Sequence, residues 1–461
     1  MKTTITLILV LCTSILFSQE PPSEAQGGTP VLDANHGPCM SQERKQEFLN
    51  QLDKNITLLR SEGRFIEAKE QVNHPLFIWP VEQEDGFNYH SIWALTNYVD
   101  HDPSFPNSIQ DFDCGTRSYD TTSGYNHTGY DIATWPFWWQ QMELNQSINI
   151  AAADGQIIGK QDGNFDQQCS FNDDPLNGIA LQHADGSRSF YFHFKNGAIT
   201  SKEIGDTVVA GEYLGVIGSS GSSTGPHLHF EVFDDANELI DPSIGTCNDL
   251  NDDTWWAEPI EYYNPGINAV LTHTDFPEFN TCPEVETTFE SDQFEMGDTV
   301  TTAIYLRDQR PNTSLQLRTI RPDNSVQFEW EFDLADEFSI SWWAWQIPAD
   351  MEGTWTWEAT YLGETVTHNF NVGVLGVEDL ALETLQLYPN PTNDGLVTLE
   401  FTDTLEDATI TVTNVLGQTI SSNHYLNRGS VDLEVGNNSG LYFVTVATPN
   451  GTTKTYKVIR R

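Results

Sequence analysis

The chain has 461 residues, too many for one compact core, which points to two to four domains. Hydrophobic residues make up 38% and aromatics 11%, enough to build folded modules, so a wholly disordered chain is excluded. With 67 Asp and Glu against 21 Lys and Arg the net charge is −46, which argues against a nucleic-acid partner, because phosphate binding relies on Lys and Arg to release counterions.

Residues 1–18 have the form of an export signal: Met1-Lys2, the apolar run Ile5 to Leu11, then Ile15-Leu16-Phe17 and a cut after Ser18. Cys12 suggests a lipoprotein, but the bulky Leu11 before it and the apolar residues after it favour simple cleavage. No later stretch is long and apolar enough to cross a membrane, so the expected product is soluble and exported. Residues 19–75 read as a leader. It is loose and rich in Pro, Gly and Ser up to residue 40, then helical from Ser41 to about Glu67, where Phe48, Leu52, Ile56, Leu59 and Phe65 recur at helical spacing. Ser41 is placed to cap that helix.

From Leu76 the pattern changes to short strands broken by Gly, Asn, Asp and Pro, and residues 76–265 form the second segment. Residues 271–374 follow with turn signals every 8–12 residues, which suggests an immunoglobulin-like β-sandwich. Its Trp342, Trp343, Trp345, Trp355 and Trp357 are read as core rather than as a carbohydrate platform. A linker near 373–383 leads to a small β module at 385–461. The fold class is therefore mainly β. After signal removal five cysteines remain, Cys39, Cys114, Cys169, Cys247 and Cys282, none in a C-x-x-C pair. In an oxidising compartment one or two disulfides and one spare thiol are expected; three of the five lie from Cys114 to Cys247, which favours a bridge within the second segment, and the connectivity stays open.

Two motifs carry chemistry. Twelve histidines in 461 residues make about 0.3 His-x-His pairs by chance, so His227-Leu228-His229 is weak evidence by count alone. Its geometry says more. Residues two apart on a strand point to one face, so both imidazoles address the same small volume. In His127-Thr128-Gly129-Tyr130-Asp131 an imidazole and a carboxylate can bend onto one metal. A catalytic zinc site takes three N or O ligands and an open fourth position, a count met by His127, Asp131 and one imidazole of the pair. The other imidazole and His193, on the strand Tyr191-Phe192-His193, remain for proton handling. His183 lies in an alternating strand and reads as structural. The chain has no His-Glu-x-x-His, so a helix-borne Glu base is not expected.

The run from Gly215 to Val232, containing Ser223-Thr224-Gly225-Pro226-His227-Leu228-His229-Phe230-Glu231, resembles the hallmark of the lysostaphin/LytM-type zinc endopeptidases. The segments His127-Thr128-Gly129-Tyr130-Asp131, Ala152-Ala153-Asp154-Gly155, His183-Ala184-Asp185-Gly186, Tyr191-Phe192-His193 and Gly205-Asp206-Thr207-Val208 fall in the family's order over residues 76–245. The resemblance implies an antiparallel β-sheet groove in which His127, Asp131 and His229 bind Zn2+, with His227 and His193 as general base and oxyanion stabiliser. It implies a secreted metalloendopeptidase acting on peptidoglycan cross-bridge peptides or Gly-rich extracellular protein. The rival reading is a non-catalytic wall-binding or regulatory protein that kept the groove, and the leader 19–75 is a candidate inhibitory propeptide. This sequence departs from the family in the aromatic stretch Thr134 to Leu144, read either as a groove wall or as packing on the leader helix, and in the acidic stretch Asp162 to Pro175, read as solvated rather than calcium-binding. Tyr388-Pro389-Asn390-Pro391, Val415-Leu416-Gly417-Gln418, Gly440-Leu441-Tyr442-Phe443-Val444 and the basic end Lys457 to Arg461 resemble the C-terminal sorting domain of the type IX secretion system. That implies passage through the secretion machinery to the cell surface or the medium.

Overall fold

The computed structural model describes residues 20–30, 37–69, 73–373, 386–415, 417–448 and 453–461. The export signal, His36 and nearly all of the linker fall outside the described residues. The chain is mainly β and divides into two compact units, residues 1–372 and 373–461.

The long helix Gln42–Ser61 starts where Ser41 leaves the extended region and its side chain accepts the Arg44 N–H at 3.2 Å. Glu43 in the first turn and Arg60 in the last complement the helix dipole. Phe48, Leu52, Ile56 and Leu59 are its buried stripe. Phe48, Leu52 and Ile56 pack with Ile158, Ala180, Phe190, Phe192 and Phe233 on one face of the largest sheet. Gly159 lets the helix seat there, since a Cβ on it would lie 2.5 Å from Leu52 Cδ2.

That sheet runs Thr207–Val208, Gly155–Gln161, Gly178–Gln182, Arg188–Phe192, His227–Phe233, Tyr130–Thr134, Trp93–Asn97, with Leu239–Ile240 added beside His227–Phe233. Alternation divides the central strand between two environments. Leu228, Phe230 and Val232 enter the main core with Phe77, Ile132, Tyr191 and Trp256. His227, His229, Glu231 and Phe233 point the other way, toward the side on which the helix lies. A smaller sheet of Val81–Gln83, Ser147–Ile150, Tyr213–Ile217 and Phe194–Ile199 flanks it.

The region after residue 265 forms two sheets, one of Gln26–Gly28, Phe338–Pro348, Thr299–Gln309 and Gly266–His273, the other of Gln293–Phe294, Glu364–Val372, Gly353–Tyr361, Thr313–Ile320 and Val326–Leu334. Between them lies a core in which Trp345, Trp355 and Trp357 are fully buried and Trp330 is 2% exposed. Trp342 instead packs against the main core. The first of these sheets is covered on both faces, because Ala269, Leu271, Ala303, Tyr305 and Ala344 belong to the main core. This is why all of Gly266–His273 is buried. The leader is thus not loose throughout: Gln26–Gly28 is an edge strand paired with Trp342 to Ala344.

The aromatic stretch takes neither of the two positions weighed for it. Trp135 and Phe137 are fully buried and stack on Phe279, with Tyr305 edge-on to both. Trp138–Glu143 is a short helix whose first N–H groups, at Trp139 and Gln140, donate to Glu286. The stretch therefore docks on the sandwich. Two disulfides form, Cys114–Cys247 and Cys169–Cys282, and Cys39 is a free, buried thiol.

The second unit is a five-stranded sheet, Gln386–Tyr388, Leu396–Asn414, Gly440–Ala447 and Thr453–Arg460 in order, with Thr419–Glu434 paired to Leu396–Asn414. Val397, Leu399, Ile410, Val412, Val444, Val446 and Val458 make its core. The Pro-Asn-Pro motif has a structural part to play: the Asn390 side chain donates to the Lys457 carbonyl and accepts the Ile459 N–H.

Candidate metal centre

Strand register brings the two motifs together. On adjacent antiparallel strands His229 lies directly opposite Asp131, and His227 opposite Ala133. His127 precedes its strand and turns back onto it. The result is a triangle of Asp131 Oδ1 to His229 Nδ1 at 2.8 Å, Asp131 Oδ1 to His127 Nε2 at 3.1 Å, and His127 Nε2 to His229 Nδ1 at 3.3 Å. Ligand atoms about 2.0–2.1 Å from one tetrahedral ion stand about 3.3 Å apart, so these three edges have the size of one face of such a site. The three residues can hold a metal ion, and they are the one such group among the described residues.

Each imidazole is fixed by an acceptor on its outer nitrogen. His127 donates its Nδ1–H to the Tyr98 carbonyl at 2.7 Å, which leaves Nε2 bare and inward. His193 donates its Nδ1–H to the Ser220 carbonyl at 2.6 Å, and its buried Nε2 has no hydrogen-bond partner. His227 donates Nδ1–H to the Gly225 carbonyl at 2.8 Å and sets Nε2 at 3.7 Å from Asp131 Oδ1. His229 is turned around: its Nε2 faces Glu231 Oε1 at 3.1 Å and its Nδ1 faces the centre. The His193 and His227 rings lie 4.5 Å apart.

Two local features make this possible. Gly129 cannot carry a side chain, since a Cβ would meet the Phe230 carbonyl at 2.7 Å and His229 Nε2 at 2.8 Å. His193 has φ of 70°, a left-handed conformation that is rare and costly outside glycine and that tends to mark functional positions. It is the single residue between the strands Arg188–Phe192 and Phe194–Ile199, and its ring lies beside that of His227.

The electrostatics separate the residues. Burial pushes the Asp131 carboxyl up, but the His127 charge and hydrogen bonds from His127 and His229 outweigh it and hold the group well below the usual carboxylate range. Burial disfavours a charged His229, yet Asp131 and then Glu231 more than compensate and push it up to about 9. For His193, burial and then the neighbouring His227 and His229 drive the value well down. His227 is also lowered, first by burial. Burial thus favours the uncharged form of both His193 and His227. His227 is the accessible member, with its side chain 18% exposed against 8% for Asp131 and none for His127 and His229.

His183 is elsewhere. Its Nδ1 bonds the Asp154 carbonyl and its Nε2 the Ser189 hydroxyl, and burial lowers its pKa. The acidic stretch 162–175 spends its carboxylates on loop hydrogen bonds: Asp162 on Gly163 and Gly197, Asp174 on Gln168. The loop also backs the serine-rich turn, through Gln168 to Ser219 and Asn172 to Ser222. Nothing in the sequence alone singles out Glu231 or the carbonyls of Tyr98, Ser220 and Gly225. Glu231 lies within its reach only as the residue two beyond His229 on the same strand face.

Residues 143–242 match the family described as Peptidase family M23, and residues 386–461 match the Secretion system C-terminal sorting domain. A protein of Neisseria meningitidis serogroup B named DD-carboxypeptidase/endopeptidase Mpg is 42% identical over 56 residues, a stretch that covers 12% of this chain and 12% of that protein. Among solved structures, a zinc containing peptidase from Vibrio cholerae is 19% identical, covering 39% of this chain and 41% of that one with a TM-score of 0.24. The catalytic domain of lysostaphin from Staphylococcus simulans is 22% identical, covering 35% of this chain and 96% of that one with a TM-score of 0.20. The sorting domain marks the chain for type IX export to the cell surface or the medium. No helix among the described residues is long and apolar enough to cross a membrane. The chain carries a peptidase domain of family M23 and ends in a secretion-system C-terminal sorting domain.

Proposed function

We propose that the chain is a secreted zinc metalloendopeptidase that hydrolyses peptide bonds in peptidoglycan cross-bridges or in Gly-rich extracellular protein. The observation that carries this reading is the convergence of His127 Nε2, Asp131 Oδ1 and His229 Nδ1 beside two further imidazoles, His193 and His227. Two nitrogens and one carboxylate oxygen suit zinc, and three protein donors leave one position open for catalysis.

When bound, zinc supplies Lewis acidity, which makes a water acidic near neutral pH and polarises a carbonyl. The chain supplies the rest. His227, the exposed member, receives the proton of the attacking water at its bare Nε2 and passes it to the leaving amine nitrogen as the C–N bond breaks. His193, fixed through Nδ1 by Ser220, faces the same space with Nε2; that nitrogen is bare in the neutral ring, so it steadies the oxyanion only after taking up a proton, against the burial that disfavours its charge. Asp131 and Glu231 bear the negative charge that keeps His229 in place.

The two strand histidines separate under mutation. His229→Ala should lose stoichiometric zinc. His227→Ala should hold zinc and lose about 10²- to 10⁴-fold in kcat. Digestion of purified peptidoglycan and of a Gly-rich protein, with and without chelator and with products read by mass spectrometry, measures this. Full activity in His227→Ala would overturn the division of roles.

A further inference from the structure

His229 differs from the other three histidines in turning Nδ1, not Nε2, to the centre. This choice of nitrogen depends on what holds its far side. That partner is Glu231, two residues along the same strand and 4% exposed. Two hydrogen-bond donors and one cation from three parts of the chain converge on the one oxygen Glu231 Oε1: the His229 Nε2–H, the Thr128 hydroxyl from the turn that carries His127 and Asp131, and the Lys45 ammonium in an ion pair at 3.6 Å. Lys45 belongs to the helix Gln42–Ser61, well outside the stretch that matches the peptidase family. The helix is held there by Phe48 set edge-on to Phe190 and Phe192, and Phe192 in turn stacks parallel to His229 at 6.1 Å. Lys45 also lies over the Phe233 ring, 5.1 Å from its centroid, so its position is set by packing as well as by charge.

We infer that Glu231 is a positioning residue that locks His229 with Nδ1 toward the metal, and that Lys45 completes its surroundings, so that the leader helix is a working part of the metal centre. The inference rests on the zinc reading above. Its physical basis is that a ligating imidazole is oriented, and its basicity raised, by an acceptor on its other ring N–H. An aliphatic side chain in place of Glu231 would leave the buried His229 Nε2–H unpaired and free the ring to rotate or to bind through the wrong nitrogen. Without Lys45 the same oxygen would keep only the His229 N–H and the Thr128 hydroxyl, and the buried carboxylate would lose the ammonium that helps to offset its charge. The segment before the peptidase domain thereby acquires a role opposite to that of a removable inhibitor: taking it away would loosen the ligand set.

The test is zinc affinity of the full chain, measured by competition with a chromophoric chelator, together with 15N NMR of histidine-labelled protein without zinc. Glu231→Leu should weaken zinc binding about 10- to 100-fold. Glu231→Gln keeps an acceptor oxygen for the Nε2–H and should stay within about threefold of the parent. Lys45→Met keeps the stem over Phe233 and loses the charge, and should cost about two- to fivefold, the scale of a part-exposed ion pair. In the NMR, Glu231→Leu should shift the His229 Nε2–H signal and leave that of His183 in place. Equal zinc affinity in Glu231→Leu and the parent overturns the positioning role, as does a loss in Glu231→Gln as large as in Glu231→Leu. Parent affinity in Lys45→Met removes the helix from the centre. If the parent chain itself binds no zinc, the metal reading fails instead, and the NMR shift alone decides whether Glu231 orients His229.

Discussion

His273 gives a sharp link between structure and pH. It sits fully buried on Gly266–His273, the strand shared by the main core and the sandwich. Its Nδ1–H donates to the Thr288 carbonyl at 2.7 Å, and its Nε2 accepts the Tyr305 hydroxyl at 3.1 Å. Protonation would set an N–H against that hydroxyl. Burial lowers its pKa from the ordinary 6.5 to about 4, with His368 adding to the fall and the Thr288 bond and Asp292 opposing it. A folded value below the unfolded one means that stability is complete above pH 6.5 and is lost as pH falls toward 4. Linkage puts the loss from this one group at about 2.5 kcal/mol between pH 7.5 and pH 4.5. Urea unfolding followed by tryptophan fluorescence at the two pH values, for the parent and for His273→Gln, isolates the term. The variant starts less stable, yet its stability should fall by about 2–3 kcal/mol less over that range. An identical fall in both proteins would refute the argument and move the acid sensitivity to another group with a lowered folded pKa, such as His183, whose value burial also depresses.

Two further outcomes follow from packing and cross-linking. Phe48→Ala empties the contact between the leader helix and the Phe190–Phe192 face, and should cost about 3–5 kcal/mol in urea unfolding; an unchanged midpoint would mean that the helix does not rest there. Replacing Cys169 and Cys282 together by Ala removes a bridge across 113 residues, worth about 4–5 kcal/mol by chain entropy, and a loss below about 1 kcal/mol would contradict that estimate.

The parts legible in the sequence were those set by local periodicity. A two-residue period put His227 and His229 on one face, and a helical period found the buried stripe of Gln42–Ser61. The same two-residue step reaches Glu231, but a carboxylate following a strand histidine gives no sign of its partners until Thr128 and Lys45 arrive from distant segments. The aromatic stretch was hidden for the same reason. Trp135 and Phe137 announce burial, but Phe279 and Tyr305, which receive them, lie more than a hundred residues on, and composition does not fix which surface an apolar loop will choose. The orientation of His193 comes from a backbone conformation that its residue type disfavours, so propensity argues against it.

The two disulfides overlap along the chain, Cys114 to Cys247 and Cys169 to Cys282, and all five residues of the centre lie between Cys114 and Cys282. A single cut at any bond between those outer cysteines leaves two fragments that one bridge or the other still joins. Outside the cell, among peptidases that include copies of itself, the chain can be nicked in any one of these loops without shedding a ligand.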